Sequence, residues 1–204
     1  IDNSRAMADT RESFLERTGL PDTPTIALLA GSRTSEIGVM MPVFMQFADM
    51  LHAIPEYSDY RFIVAAAPSR RLEDYAGYVR DREYVSIVFG ESHSVMRFSQ
   101  AAVVNSGTAS LECALDFLIA KSIIKVKYIS LGNLILDRHC FRELLQFYFT
   151  PENLVEEVRR MIEDTAYRAG MLDGYSQIRQ MLGGSGASAS VARAMIGELG
   201  ARDC

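Results

Sequence analysis

The sequence has few cysteines, no surplus of positive charge and no long uninterrupted apolar run. Its three cysteines, Cys113, Cys140 and Cys204, form no Cys-x-x-Cys pair. An odd number of cysteines favours reduced thiols in a reducing compartment. The formal net charge is −5, whereas proteins that neutralise a phosphate backbone carry a basic excess. We therefore expect a cytoplasmic protein with no nucleic acid among its partners.

No segment reaches the roughly eighteen uncharged apolar residues that a transmembrane helix needs. The longest apolar stretch, residues 117–136, is interrupted by Lys121, Lys125 and Lys127. Such lysines are costly in hydrocarbon but can extend toward a protein or headgroup surface. A core helix followed by a strand is the favoured interpretation of this stretch, and a membrane-surface patch is the alternative. The first residues also lack the basic and apolar regions of a signal peptide.

The usual motifs for metals, phosphate loops and nucleophilic catalysis are missing. Neither Gly-x-Gly-x-x-Gly nor Gly-x-x-x-x-Gly-Lys-Ser/Thr occurs, which disfavours dinucleotide and P-loop sites. No Asp-x-Asp and no His/Cys cluster occurs, so the sequence predicts neither a metal nor another cofactor. His52, His93 and His139 are scattered, and Ser106 lacks a nucleophile elbow. A bound diphosphate would have to be neutralised by arginine and by helix N-termini.

What the chain does contain is a regular alternation of strand-like and helical segments. Short apolar runs predict strands over 25–30, 61–66, 84–89, 101–105 and 126–131. Helices are predicted over 4–18, 70–81 and 92–99. A further helix is predicted directly after the loop at 31–33, with Pro42 in its first regular turn. The chain then becomes helical, with Thr150 as an N-cap, and residues 183–188 form a glycine-rich turn.

This alternation predicts an α/β fold. Parallel strands joined by right-handed crossover helices form a Rossmann-like sheet with flanking helices, here followed by a helical C-terminal tail. No linker or composition shift separates the strand-rich part from the tail. We therefore expect residues 1–204 to form one domain.

Two loops follow predicted strands at the edge where open parallel sheets bind ligands. Helix N-termini and their N–H groups face the ligand there, and a guanidinium suits bidentate phosphate contact. The candidate residues after the first strand are Gly31, Ser32, Arg33 and Glu36, and those after the fourth are Ser106, Gly107, Thr108 and Glu112. These residues support phosphate binding about as well as they support ordinary turn, cap and surface roles.

A third group of polar residues lies around the end of the last predicted strand. Asn133, Arg138 and Gln146 provide an amide, a guanidinium and a second amide. Asn133 alone is typical of a turn, whereas together with Arg138 it is suited to orienting a polar ligand.

In this order, the motifs resemble those of the lipid-A-disaccharide synthase family. The resemblance runs through residues 28–37 with Pro42, 106–112, 126–133, Arg138 with 143–146, and 151–154. It implies a GT-B fold, of which this chain is the C-terminal half that binds the UDP-sugar. The N-terminal half, which in the family carries the acceptor site and the presumed aspartate base, is absent from the 204 residues. Without that half, this chain alone is expected to be inactive. About fifteen residues of the family pattern are also missing near 115–116.

The resemblance also implies a reaction and its partners. The reaction is a metal-independent, inverting transfer of 2,3-diacylglucosamine from its UDP conjugate to 2,3-diacylglucosamine 1-phosphate. The enzyme would be peripheral on the inner membrane of a Gram-negative bacterium, and a homodimer by exchange of C-terminal helices. The partners are therefore a UDP-sugar lipid donor, a lipid monosaccharide phosphate acceptor and a membrane surface.

The resemblance further assigns roles to individual residues. The catalytic candidates are Arg33, Asn133 and Arg138, and Arg33 would stabilise the departing diphosphate together with the amides of 106–108. Glu112 would accept hydrogen bonds from the ribose hydroxyls, and Gln146 is a further binding candidate. The uracil would lie near Phe89 and Gly90, by analogy with related folds.

Two other functions stay open at this point. A UDP-sugar epimerase of the same fold would keep the donor site and need no lipid acceptor. A non-catalytic module that binds a nucleotide or a protein would keep the fold without the functions of Arg33 and Glu112.

Overall fold

The computed structural model describes residues 9–105, 128 and 130–182 of the chain. These residues form two compact units. The first, the sheet unit, contains the described residues 9–105 and 143–165. The second, the tail unit, contains residues 128, 130–142 and 166–182. The assignment of 1–204 to one domain stays a prediction, and the glycine-rich turn at 183–188 lies outside the described residues.

Strands and helices alternate along the sheet unit. The strands are β1 (Thr25–Leu29), β2 (Arg61–Ala66), β3 (Val85–Phe89) and β4 (Ala101–Val104). The described helices are α1 (Arg11–Thr18), α2 (Thr34–His52), α3 (Glu73–Val79), α4 (Ser92–Phe98), α5 (Leu131–Leu136), α6 (Pro151–Glu163) and α7 (Thr165–Leu182), with short 3-10 turns at Pro55–Tyr57 and Gln146–Tyr148. Of these, α5 and nearly all of α7 belong to the tail unit.

The four strands form one parallel sheet in the order β3-β2-β1-β4. Leu28 in the central strand is in register with Val64 on one side and Val103 on the other. In β1, both Ala27 and its neighbours Ile26 and Leu28 are fully buried, because a parallel sheet with helices on both faces shields alternate side chains equally. The prediction of an α/β fold with a Rossmann-like parallel sheet is confirmed.

Two apolar layers hold the helices of the sheet unit against the sheet. On one face, Ile26 and Leu28 pack with Phe44 and Phe47 of α2 and with Leu154 of α6. Burying such a side chain contributes about 1.5–3 kcal/mol.

The opposite face has the smaller layer. There Ala27 and Ile63 pack with Phe14 of α1 and Val95 of α4. Both faces of the sheet are therefore covered.

Two sequence expectations, about α2 and α5, are wrong in detail. Pro42 lies inside α2 rather than in its first turn, because Glu36 caps a helix that already begins at Thr34. Leu131 begins helix α5 instead of ending a strand, because Ser130 accepts a hydrogen bond from the backbone N–H of Asn133 and so caps that helix. In the part of the chain that the structure describes, no helix is long and apolar enough to cross a membrane.

Candidate functional site

The strand order defines where a ligand would bind. In a doubly wound sheet the ligand crevice lies outside the carboxyl ends of the strands where the order reverses, and here that point lies between β1 and β4. The backbone N–H of Asn105 donates to the carbonyl of Leu29 at 2.9 Å, and its Nδ2 donates to the carbonyl of Ala30 at 3.3 Å. The start of the loop after β4 is thus held by hydrogen bonds to the end of β1.

The residues predicted to follow Asn105 in this site lie outside the described residues. They are Ser106, Gly107, Thr108 and Glu112. Their contact with a ligand stays a prediction.

The loop after β1, residues 30–33, is organised around the carboxylate of Glu36. Oε2 of Glu36 accepts hydrogen bonds from the backbone N–H groups of Ser32 at 2.8 Å and Arg33 at 3.0 Å. The residue is only 4% exposed. The Arg33 N–H is the main cause that holds the pKa of Glu36 below its usual range, against the opposing effect of burial. Glu36 is therefore ionised at neutral pH and closes the start of α2.

Gly31 provides the space for that carboxylate. Its φ is +99°, in the left-handed region that favours glycine. A Cβ at this position would collide with Oε2 of Glu36. Glycine is thus required here by conformation and by an internal contact, and its contact with a ligand stays a prediction.

The same carboxylate determines which groups of the loop can meet an anion. The N–H groups of Ser32 and Arg33 already donate to Glu36, so the positive charge presented here comes from side chains. The Arg33 side chain is 62% exposed, and its Nη1 lies 3.4 Å from Oε1 of Glu36. Arg33 is therefore placed at the ligand edge, with its guanidinium largely in solvent.

Sequence reasoning missed a second arginine at this edge. Arg70 follows β2, and its Nε donates to the carbonyl of Ser32. Its Nη1 donates to Oγ1 of Thr34 at 3.0 Å. The position of Arg70 shortly after a predicted strand could have indicated this. The sequence pattern instead predicted a helix from residue 70, whereas the helix begins at Glu73.

Phe89 and Gly90 lie at the end of β3, two strands from β1. Adjacent strands are about 4.8 Å apart, so this point is roughly 10 Å from the end of β1. Phe89 is 36% exposed and stands edge-on to Tyr75, with ring centroids 6.1 Å apart. Gly90 has φ +72° and donates its N–H to the carbonyl of Ala66 at 3.0 Å. The uracil position predicted here stays a prediction.

In the tail unit, the amide of Asn133 is used within its own loop. It is fully buried, and its Oδ1 accepts from the backbone N–H groups of Cys140 at 2.7 Å and Phe141 at 3.3 Å. Its Nδ2 donates to the carbonyl of Phe141 at 2.9 Å. These contacts favour a structural role in closing the loop after α5, and the catalytic role of Asn133 stays a prediction.

The other two polar candidates of this region are placed differently. Arg138 belongs to the tail unit, where its Nη2 donates to Oε1 of Gln177 at 3.2 Å and lies 3.7 Å from the carboxylate of Asp173. Gln146 belongs to the sheet unit, where its backbone begins a 3-10 turn; its side chain is not among the described groups. The roles of both residues stay predictions.

The parallel sheet with flanking helices belongs to the class of α/β units that make up one half of a GT-B fold. A family model described as lipid-A-disaccharide synthetase matches residues 4–190. The chain belongs to this family.

Curated relatives agree with that assignment. A lipid-A-disaccharide synthase of Myxococcus xanthus is 36% identical over 92% of this chain and 53% of its own length. The enzyme of the same name from Anaeromyxobacter dehalogenans is 32% identical, with the same coverage. A third from Chromobacterium violaceum is 31% identical over 84% of this chain and 49% of its own length. The chain thus spans about half the length of the curated relatives it matches.

Proposed function

We propose that this chain is the donor-binding half of an inverting glycosyltransferase of lipid A biosynthesis. The enzyme would transfer 2,3-diacylglucosamine from its UDP conjugate to 2,3-diacylglucosamine 1-phosphate, which gives the disaccharide 1-phosphate and UDP. The observation that carries this proposal is the family match over residues 4–190. The loop after β1, at the switch point of the sheet, supports it independently.

The chemistry assigns this half a charge-stabilising task. A hydroxyl of the acceptor forms a bond to the anomeric carbon while the bond to the diphosphate oxygen breaks and its electron pair leaves with UDP. The hydroxyl proton passes to a base in the half that is absent from this sequence. Negative charge grows on the diphosphate, and fixed donors aimed at such charge are usually the largest catalytic contribution.

The proposed roles follow the family resemblance, and for Arg33 the exposure of its side chain supports them. Arg33, exposed at the switch point, would meet the diphosphate together with the amides of 106–108, and Glu112 would bind the ribose. Ser32 and Gln146 would bind the donor, and Phe89 and Gly90 would face the uracil. In the tail unit, Arg138 would act in catalysis, and Asn133 would hold the loop that carries Arg138.

The proposal includes the setting of the enzyme. It would act peripherally at the cytoplasmic face of the inner membrane of a Gram-negative bacterium, where both lipid substrates reside. A homodimer by exchange of C-terminal helices is part of the same proposal.

Nucleotide binding by this chain is the first test. We expect saturable binding of UDP in calorimetry, with uridine weaker than UDP. Arg33→Ala should weaken UDP on the order of tenfold to a hundredfold, since a charge-assisted hydrogen bond contributes about 1.5–3 kcal/mol. Glu112→Gln should weaken uridine as well, because the ribose is common to both. Equal losses of uridine and UDP in Arg33→Ala would contradict these roles.

Product analysis is the second test. We expect the chain alone to form no disaccharide from both lipid substrates, and the protein joined to an N-terminal half of the family to release UDP and disaccharide 1-phosphate. An altered UDP-sugar formed without any acceptor would indicate the epimerase instead. Robust disaccharide formation by the chain alone would contradict the assignment of the base and the acceptor site to the N-terminal half.

A further inference from the structure

Arg70 connects the loops that follow β1 and β2. Two atoms of its guanidinium bind the loop after β1, since Nε donates to the carbonyl of Ser32 and Nη1 donates to Oγ1 of Thr34. The Arg70 side chain is 24% exposed, and Nη1 lies 4.0 Å from the carboxylate of Asp74. Arg70 is thus a partly buried cation held in place at the ligand edge of the sheet.

The charged groups at this edge of the sheet explain why a bound anion would need the positive charge of Arg70. Glu36 places a buried negative charge under the loop and accepts from the N–H groups of Ser32 and Arg33. Its other oxygen lies 3.4 Å from the guanidinium of Arg33, so part of the positive charge of Arg33 is balanced within the protein. A nucleoside diphosphate carries several negative charges, and an incoming anion therefore needs a further positive group at this point.

Among the described residues, the Nη2 group of Arg70 makes no hydrogen bond. A guanidinium has five N–H donors in a fixed fork, so it can hold the loop with one edge and still donate to a phosphate with another. Lysine offers a single ammonium and is unable to reproduce both contacts in the same geometry.

We propose that Arg70 is part of the diphosphate site: it positions the loop after β1 and supplies, beside Arg33, a second positive charge for a nucleoside diphosphate. This inference rests on the proposed function and adds to the site a residue from the loop after β2. The positive charge of the site then comes from the loops after β1 and β2, which are neighbouring strands of the sheet.

The test compares UDP with uridine in calorimetric titrations of the 204-residue chain at low and high salt. Arg70→Ala should weaken UDP on the order of tenfold, leave uridine within about threefold, and reduce the loss of UDP affinity caused by salt. Arg71→Ala is the matched control, because it removes the same charge from an exposed neighbour. The control should stay within about twofold of the unaltered chain for both ligands.

Two further variants separate charge from loop support. Arg70→Lys should recover part of the UDP affinity and of its salt dependence, whereas Arg70→Gln should recover neither. Recovery by Gln equal to that by Lys would overturn the charge role, and so would a loss in Arg70→Ala that is the same for uridine and UDP. Thermal melting of each variant shows that the comparison is made on folded protein.

The outcomes also distinguish this inference from the function on which it rests. If the unaltered chain fails to bind UDP, the proposed function falls and Arg70 loses its role with it. If the unaltered chain binds UDP and Arg70→Ala binds it equally well, only the assignment of Arg70 is overturned.

Discussion

Glu36 shows how one carboxylate can determine the conformation of a ligand loop. It is nearly inaccessible, yet it is charged, because two backbone N–H groups at the start of α2 donate to it. Hydrogen bonds to the charged form and the positive end of the helix dipole both favour ionisation. Gly31 is the complementary part of this arrangement, since a side chain at 31 would occupy the space of the carboxylate.

Glu36→Gln should therefore destabilise the sheet unit in a pH-dependent way. Because the pKa of Glu36 is lower in the folded protein than its ordinary value of 4.5, its ionisation stabilises the fold above that value. This contribution disappears as the pH falls through the folded pKa. We expect a cost of about 1–3 kcal/mol at neutral pH that shrinks in the acid range, measured by urea denaturation at stepped pH.

The control for this prediction is Glu73→Gln, which changes an exposed carboxylate in the first turn of α3. Its cost should stay within about 0.5 kcal/mol. A Glu36→Gln cost that does not change between neutral and acid pH would contradict the assigned role.

Asn133 is a second residue for which a substitution can distinguish a structural role from a catalytic one. Asn133→Ala would leave the buried N–H groups of Cys140 and Phe141 without their acceptor, at about 1–3 kcal/mol for each unsatisfied group. We expect a clearly lower melting temperature, and UDP affinity of the still-folded variant close to normal. Asn153→Ala, which removes one exposed hydrogen bond to Tyr148, should cost less. Unchanged stability with weakened UDP binding would instead support the catalytic role of Asn133.

At the scale of elements, helix α6 is stabilised both by residues at its own N-terminus and by contacts with distant parts of the sheet unit. Thr150 accepts a hydrogen bond from the N–H of Asn153 at 3.3 Å, and Pro151 occupies the first helical position. Leu154 and Val158 are buried in the core of the sheet unit. The hydroxyl of Tyr57 donates to Glu163 at 2.6 Å near the end of the helix.

Thr150→Ala should cost about 1 kcal/mol of unfolding free energy, because the first turn of α6 would lose its side-chain acceptor. Thr150→Ser keeps the hydroxyl and should retain most of the stability. Urea denaturation of the two variants side by side is the measurement. Equal losses in both variants would mean that the methyl group of Thr150, and not its hydroxyl, is responsible.

The strands of the sheet could be predicted from the sequence because each one is a short continuous apolar run. Strand β2 was predicted at its observed bounds, and β1, β3 and β4 to within one residue. Such runs are typical of strands that are shielded on both faces. The N-cap of α6 could also be predicted, since Thr150-Pro151 is a local signal.

The parts that could not be predicted depend on contacts between distant or folded-back groups. The position of Pro42 inside α2, and not in its first turn, follows from the Glu36 carboxylate, which reaches back to Ser32 and closes the helix start at Thr34. Arg70 reaches the site only because β1 and β2 are neighbours. Local sequence patterns do not predict the order of strands in a sheet. The residues after Asn105 remain the largest untested part of the candidate site.

At the scale of the whole molecule, we predict that the reaction of the complete enzyme needs no divalent cation. Activity of the complete enzyme should survive treatment with EDTA, because Arg33, Arg70 and the amides of 106–108 would carry the charge of the diphosphate. The measurement is disaccharide formation with and without chelator, with added magnesium as the control. Loss of activity in EDTA that magnesium restores would show that a metal neutralises the leaving group.

The central position of β1 also implies an order of assembly. Arg61 at the start of β2 bonds to Glu83 across 22 residues of chain, whereas Asn105 after β4 bonds to Ala30 across 75. Closing the longer loop costs about 1 kcal/mol more chain entropy, and non-local pairings form more slowly. Strands β2 and β3 should therefore associate before β4 docks on β1, so the ligand edge is completed last. A ligand bound there would act mainly by slowing unfolding rather than by accelerating folding.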